Sequence, residues 1–167
     1  IFRYIFGGEN FFLGLYEHPN GGSLTFAPSI PGHVEHRQLS NNSLNVMAGC
    51  FLACTPGVNI KAKFGGLKAF FSGEGAFLLE ASGSGDLFFN SFGGIVKKEI
   101  NGEFIVDTGH VVAFDSSLNY SITGMGNFKS TMLSGEGLVM KFKGTGTLYL
   151  QTRNVSSVAS WLTPRLL

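Results

Sequence analysis

Short apolar runs alternate with glycine-rich stretches along this chain. In VNIKAKF, Val58, Ile60, Ala62 and Phe64 alternate with Asn59, Lys61 and Lys63. In SLNYSIT, Leu118, Tyr120 and Ile122 alternate with Asn119 and Ser121. A period of two with one apolar face predicts half-buried strands of a sandwich or barrel. The period changes only near the C-terminus. Val155, Val158, Ala159 and Leu162 fall at i, i+3, i+4 and i+7 behind Asn154, a fitting N-cap. This predicts a helix over 155–162, ended by Pro164 and packed on the sheet or on a neighbouring subunit.

The apolar runs recur. Ser72-Gly73-Glu74-Gly75 precedes AFLLE, and Ser134-Gly135-Glu136-Gly137 precedes LVMKF. A looser copy, Gly7-Gly8-Glu9-Asn10, precedes FFLGLY. The sequence predicts a structural corner at each: Gly8 and Glu9; Gly73, Glu74 and Gly75; Gly135, Glu136 and Gly137. Glycine there supplies tight backbone, and the carboxylate accepts from backbone N–H groups. After the second and third corners come Gly83-Ser84-Gly85 and Gly144-Thr145-Gly146, which read as hairpin turns. After the first, HPNGG reads as a longer turn before another strand. A second element also repeats: MAGCFLAC and DTGHVVAF match at Gly49/Gly109 and Ala53/Ala113.

These spacings predict one β domain over 1–167, with three pseudo-repeats. They are a hairpin at about 5–30 and units at about 44–95 and 103–153. The Gly-x-x-x-Ala element leads its corner by about 25 residues in the later copies, so a half-repeat is expected upstream of Ile1.

The blocks FSGEGAFLLEASGSGDLFFNSFGGI, VDTGHVVAF and SGEGLVMKFKGTGTLYLQTRN resemble the altered-inheritance-of-mitochondria, or mitochondrial-biogenesis, family. The resemblance spans almost the whole chain. It implies a β-sandwich like that of the trp RNA-binding attenuation protein, with internal pseudo-threefold repetition. Family members usually carry a further N-terminal strand region, in keeping with the half-repeat expected upstream. The family brings no catalytic residues with it.

Composition narrows the function classes. Charged residues make up 14% of the chain, against roughly 25% in typical domains. Gly (24) and Phe (17) are abundant, as in an all-β chain of strands and turns. A net charge of +1 gives no long-range pull on nucleic acid or anionic lipid. No run reaches the ~18 apolar residues of a membrane-spanning helix, and no signal peptide is visible. Cys50 and Cys54 are too far apart on an extended strand to bond and read as thiols of a reducing, cytoplasmic compartment.

Candidate chemistry is sparse. His33 and His36 flank Glu35 and could begin a metal site, with His18 or His110 as a further ligand. The HExxH spacing is missing, and a polar loop is the simpler reading. Cys50 and His110 hold aligned repeat positions, which separates rather than pairs them. No GxSxG or GxxxxGK[ST] occurs. The basic pairs Lys61/Lys63, Lys97/Lys98 and Lys141/Lys143 could track phosphates, but solvent-face lysines also protect strand edges. Phe88, Phe89 and Phe92 cannot all enter one core, so some should cover a second core or an interface. The expected function is a non-enzymatic β-scaffold acting through protein contacts as a homo-oligomer, without catalytic, metal or cofactor residues. A ligand- or metal-binding enzyme and a nucleic-acid-binding module are the alternatives.

Overall fold

The computed structural model describes residues 2–5, 12–64, 77–124 and 138–166. All eight corner residues, Gly8, Glu9, Gly73, Glu74, Gly75, Gly135, Glu136 and Gly137, lie outside them. The described chain is antiparallel sheet with one C-terminal helix, an all-β fold. Strands β1 (Phe2–Ile5) and β2 (Phe12–Leu15) form an antiparallel pair. The main sheet contains β3 (Val34–Met47), β4 (Phe51–Cys54), β5 (Val58–Phe64), β6 (Phe77–Asn90), β7 (Ile95–Asp107), β8 (Val111–Asp115), β9 (Asn119–Gly124) and β10 (Leu138–Gln151). Its order is β4-β6-β3-β8-β10-β7, with β5 also on β6 and β9 also on β10.

The element order from β3 to β6 repeats from β7 to β10. Each series runs long strand, 3₁₀ turn, short strand, alternating strand, long strand. The Met47–Cys54 and Asp107–Phe114 elements both become a 3₁₀ turn followed by a strand. Strands β5 and β9 hold the faces their alternation predicts. Val58 and Ile60 are buried and Asn59, Lys61 and Lys63 exposed; Leu118 is buried and Asn119 and Ser121 exposed.

The glycine pairs are not hairpin turns. Strand β6 runs unbroken through Gly83-Ser84-Gly85, paired with β3 along its length, and β10 runs through Gly144-Thr145-Gly146 beside β7. The glycines mark where each long strand changes partner on its other side. Residues 77–83 of β6 pair with β5, and 87–89 pair with β4. The connection Thr55–Val58 between β4 and β5 seats directly on that point, and Ser84 N–H donates to the Gly57 carbonyl at 3.1 Å. Nor does a strand follow HPNGG; residues 17–31 form none.

Two cores result. Leu39, Leu44, Val46, Val58, Ile60, Leu79, Leu87 and Phe89 build the first. Ile100, Phe114, Leu118, Met140, Phe142 and Leu148 build the second. Strand β8 stitches them, giving Val112 and Ala113 to the first and Val111 and Phe114 to the second. Its register with β3 is Leu44↔Asp115, Asn45↔Phe114 and Val46↔Ala113.

The helix α1 spans Val155–Leu166. Asn154 caps it as expected, its side-chain oxygen accepting from Ser156 N–H at 2.9 Å. It does not stop before Pro164, which lies inside its last turn. Proline is missing only one donor there, so the turn persists. None of its residues is buried on the sheet.

Candidate interaction surface

The residues nominated for chemistry are dispersed. His33 faces Glu35 at 3.6 Å, but Glu35 is held by Lys97 at 2.6 Å. That hydrogen bond raises the Lys97 ammonium above its usual range. His36 turns away to Asp86 at 2.8 Å and stacks on Phe88. His110 Nδ1 lies 2.8 Å from the Gln151 carbonyl rather than engaging Cys50, and His18 Nδ1 accepts from Asn20 N–H. No group of three or more His, Cys, Asp or Glu side chains among the described residues could hold a metal ion. Cys50 and Cys54 are free thiols. Burial pushes Cys50 up to about 11 and raises Cys54 as well, which suppresses the nucleophilic thiolate at neutral pH.

The lysines are largely matched by acids. Lys63 pairs with Glu80 at 3.1 Å, and Lys141 and Lys143 share Glu103 at 2.6 and 3.2 Å. Those two hold the Glu103 carboxyl below its usual range. A phosphate backbone would have to displace these carboxylates. The phenylalanines divide as their alternation requires. Phe89 is fully buried in the first core, Phe88 lies under His36, and Phe92 under Arg153.

A polar clamp crosses the β3–β8 joint. Arg37 donates to Tyr149 Oη at 2.7 Å and to Asp115 Oδ1 at 3.1 Å. Asp115 Oδ2 accepts from Thr147 N–H at 2.8 Å. The equivalent place in the other unit has Asp86 N–H donating to Thr55 Oγ1 at 2.8 Å, so threonine and aspartate have exchanged positions. Sequence reading missed this clamp because its members come from three separated strands. The only local signal is a lone arginine ahead of the buried Leu39.

Among the described residues, α1 carries the densest run of exposed apolar side chains. Val155, Val158, Leu162 and Leu166 are exposed at helical spacing, with Trp161 beside them at 59% exposure. Arg165 lies over the Trp161 ring, 4.3 Å from its centre. Between the helix and the sheet runs an open groove of about 270 Å³, lined in part by His110, Arg153, Asn154 and Trp161. Elsewhere Val96 and Ile105 of β7, and Tyr16, Leu24 and Phe26, also face solvent.

Residues 1–153 match the mitochondrial biogenesis AIM24 family. The chain belongs to the AIM24 family. An uncharacterized protein of Streptococcus pyogenes serotype M6 is similar, 32% identical over 165 residues, 97% of this chain and 66% of that protein. The crystal structure of a Streptococcus pyogenes protein, a structural-genomics target, shares the fold with a TM-score of 0.74 and 32% identity. That match covers 84% of this chain and 63% of the streptococcal one. This AIM24 chain therefore spans about two thirds of the length of the relatives it matches. No helix among its described residues is long and apolar enough to cross a membrane.

Proposed function

We propose that this chain is a non-enzymatic β-scaffold that works through protein–protein contacts and self-associates through α1. The observation that carries the reading is the helix itself. It has twelve residues, none of them buried, and an apolar stripe from Val155 to Leu166. A helix this short is marginal in water unless its apolar face is covered. A large aromatic beside an arginine is a composition favoured at interface centres. Two such stripes from neighbouring copies would cover each other, as in other isologous contacts. The free thiols support residence in a reducing compartment such as the cytoplasm. A scaffold of this kind needs no cofactor.

Sedimentation equilibrium over a wide concentration range tests the reading. The native chain is expected to self-associate, and Trp161→Asp with Leu162→Asp is expected to shift it to monomer while leaving the β-sheet circular dichroism intact. A native chain that stays monomeric at high concentration would reject it.

A further inference from the structure

The sheet keeps most of its cations beside acids. Arg37, Lys63, Lys97, Lys141 and Lys143 each have a carboxylate partner. The groove between α1 and the sheet is different. Arg153 and His110 line it, and none of its lining residues is acidic. Neither cation has an ion pair among the described residues. Asp107, the acid nearest His110 in sequence, accepts from the Gly109 N–H at 2.7 Å instead. The repeat does not demand a histidine here, since the aligned residue of the other unit is the buried Cys50.

Both cationic residues are positioned by neighbouring backbone. His110 Nδ1 lies 2.8 Å from the Gln151 carbonyl. A carbonyl only accepts, so Nδ1 carries the hydrogen and Nε2 is the ring nitrogen left for a ligand. Arg153 N–H donates to the Phe92 carbonyl at 3.2 Å, and its guanidinium lies 5.9 Å from the centre of the Phe92 ring. Its stem runs past Gly93, where a Cβ would come within 3.1 Å of Cγ and 3.3 Å of Cδ. Gly93 also has φ of 78°, so the backbone and the arginine stem both favour glycine there.

Helix α1 supplies the rest of the lining. Val158 and the Trp161 indole give it apolar surface, and the Ser157 hydroxyl has no partner among the described residues. No residue of α1 is acidic. The start of the helix is already capped, because Asn154 Oδ1 accepts from Ser156 and Ser157 N–H at 2.9 and 3.4 Å. Side chains, not the helix terminus, therefore make this site. Its volume of about 270 Å³ lies at the small end of ligand sites, roughly 300–1,000 Å³.

We propose that this groove binds a small aromatic anion, a single ring bearing a carboxylate or a phosphate. The Arg153 fork suits the paired oxygens of either group, and His110 adds a second positive charge when protonated. Ser157 donates to a further oxygen, while the ring lies against Trp161 and Val158. The site does not rest on self-association through α1, because Val155, Leu162 and Leu166 of the apolar stripe lie outside its lining.

Trp161 is the sole tryptophan of the chain, so its fluorescence reports on the groove directly. Phenyl phosphate and phenylacetate serve as probes, and the tighter of the two identifies the preferred anionic group. At least one is expected to change the indole emission saturably. Neutral 2-phenylethanol and inorganic phosphate should each bind roughly tenfold more weakly or worse, since each lacks half of the recognition. Arg153→Gln should weaken the better probe by about tenfold. Ser157→Asp sets a carboxylate in the groove, in a helical turn that favours acids. It should abolish binding and leave the circular dichroism unchanged. Absence of a saturable change with both probes overturns the proposal. Equal affinity for 2-phenylethanol overturns it too, leaving a plain apolar cleft, and so does equal affinity for inorganic phosphate, which would remove the ring from recognition. Unchanged affinity in either variant does the same. A native chain that stays monomeric and still binds the probe rejects the self-association reading alone.

Discussion

Arg37 and Asp115 meet at 3.1 Å across the joint between the two units, and neither is fully exposed. The same arginine donates to the Tyr149 hydroxyl, and the same aspartate accepts from the Thr147 backbone. Removing either partner leaves the other half-buried and short of hydrogen bonds. Asp115→Ala is expected to cost about 1–3 kcal/mol of stability. Arg37→Met keeps the packing of the alkyl stem and should cost less than Arg37→Ala. Urea denaturation of the three variants checks the ranking; equal stability of Asp115→Ala and the native chain would show that the clamp contributes nothing.

Gly83 and Gly102 have nearly the same backbone, with φ of 118° and 117°. Their surroundings differ. A Cβ on Gly83 would come within 2.4 Å of the Gly57 carbonyl oxygen, whereas nothing lies within 4 Å of one on Gly102. Both alanine substitutions carry the conformational cost of positive φ, about 1–2 kcal/mol. Gly83→Ala must in addition push the β4–β5 connection off the strand. Its thermal midpoint should fall clearly below that of Gly102→Ala, and matching midpoints would remove close approach as the reason for the glycine.

That glycine also shows how far the sequence could be read. Leu79, Ala81, Leu87 and Phe89 keep one phase across Gly83 and Gly85, and all four lie in the first core. Met140, Phe142 and Leu148 do the same across Gly144 and Gly146 in the second. A strand that reversed at the glycines need not keep that phase, so the continuity was legible, but turn-forming residues outweighed it. The faces of β5 and β9 and the cap at Asn154 were legible because each depends on neighbours within a few residues. The Arg37 clamp was not, because it depends on which distant strands lie side by side. Cys50 illustrates the same limit. Its type suggests burial, but how strongly its thiol is shifted depends on the core around it.

Cys50 makes stability depend on alkaline pH. Its folded value is about 11 against an ordinary 9.0, through burial that disfavours the thiolate. The unfolded chain therefore releases this proton first. The contribution is fully present below about pH 9 and is lost as the pH rises toward 11, by an amount on the order of 2–3 kcal/mol. Denaturation midpoints measured from pH 8 to 11 should fall more steeply for the native chain than for Cys50→Ala. Parallel slopes would show that another group governs the alkaline limb.

The way β8 divides its side chains has a consequence for how this molecule can come apart. Val112 belongs to one hydrophobic interior and Phe114 to the other, so neither half owns a complete set of wall-forming residues. Cleaving the chain at the link between the halves, Gly93-Gly94, would yield a leading fragment that lacks a lid over its interior. The trailing fragment would have valine and alanine bared to water. The two blocks share an element order, yet each depends on the other to close its interior.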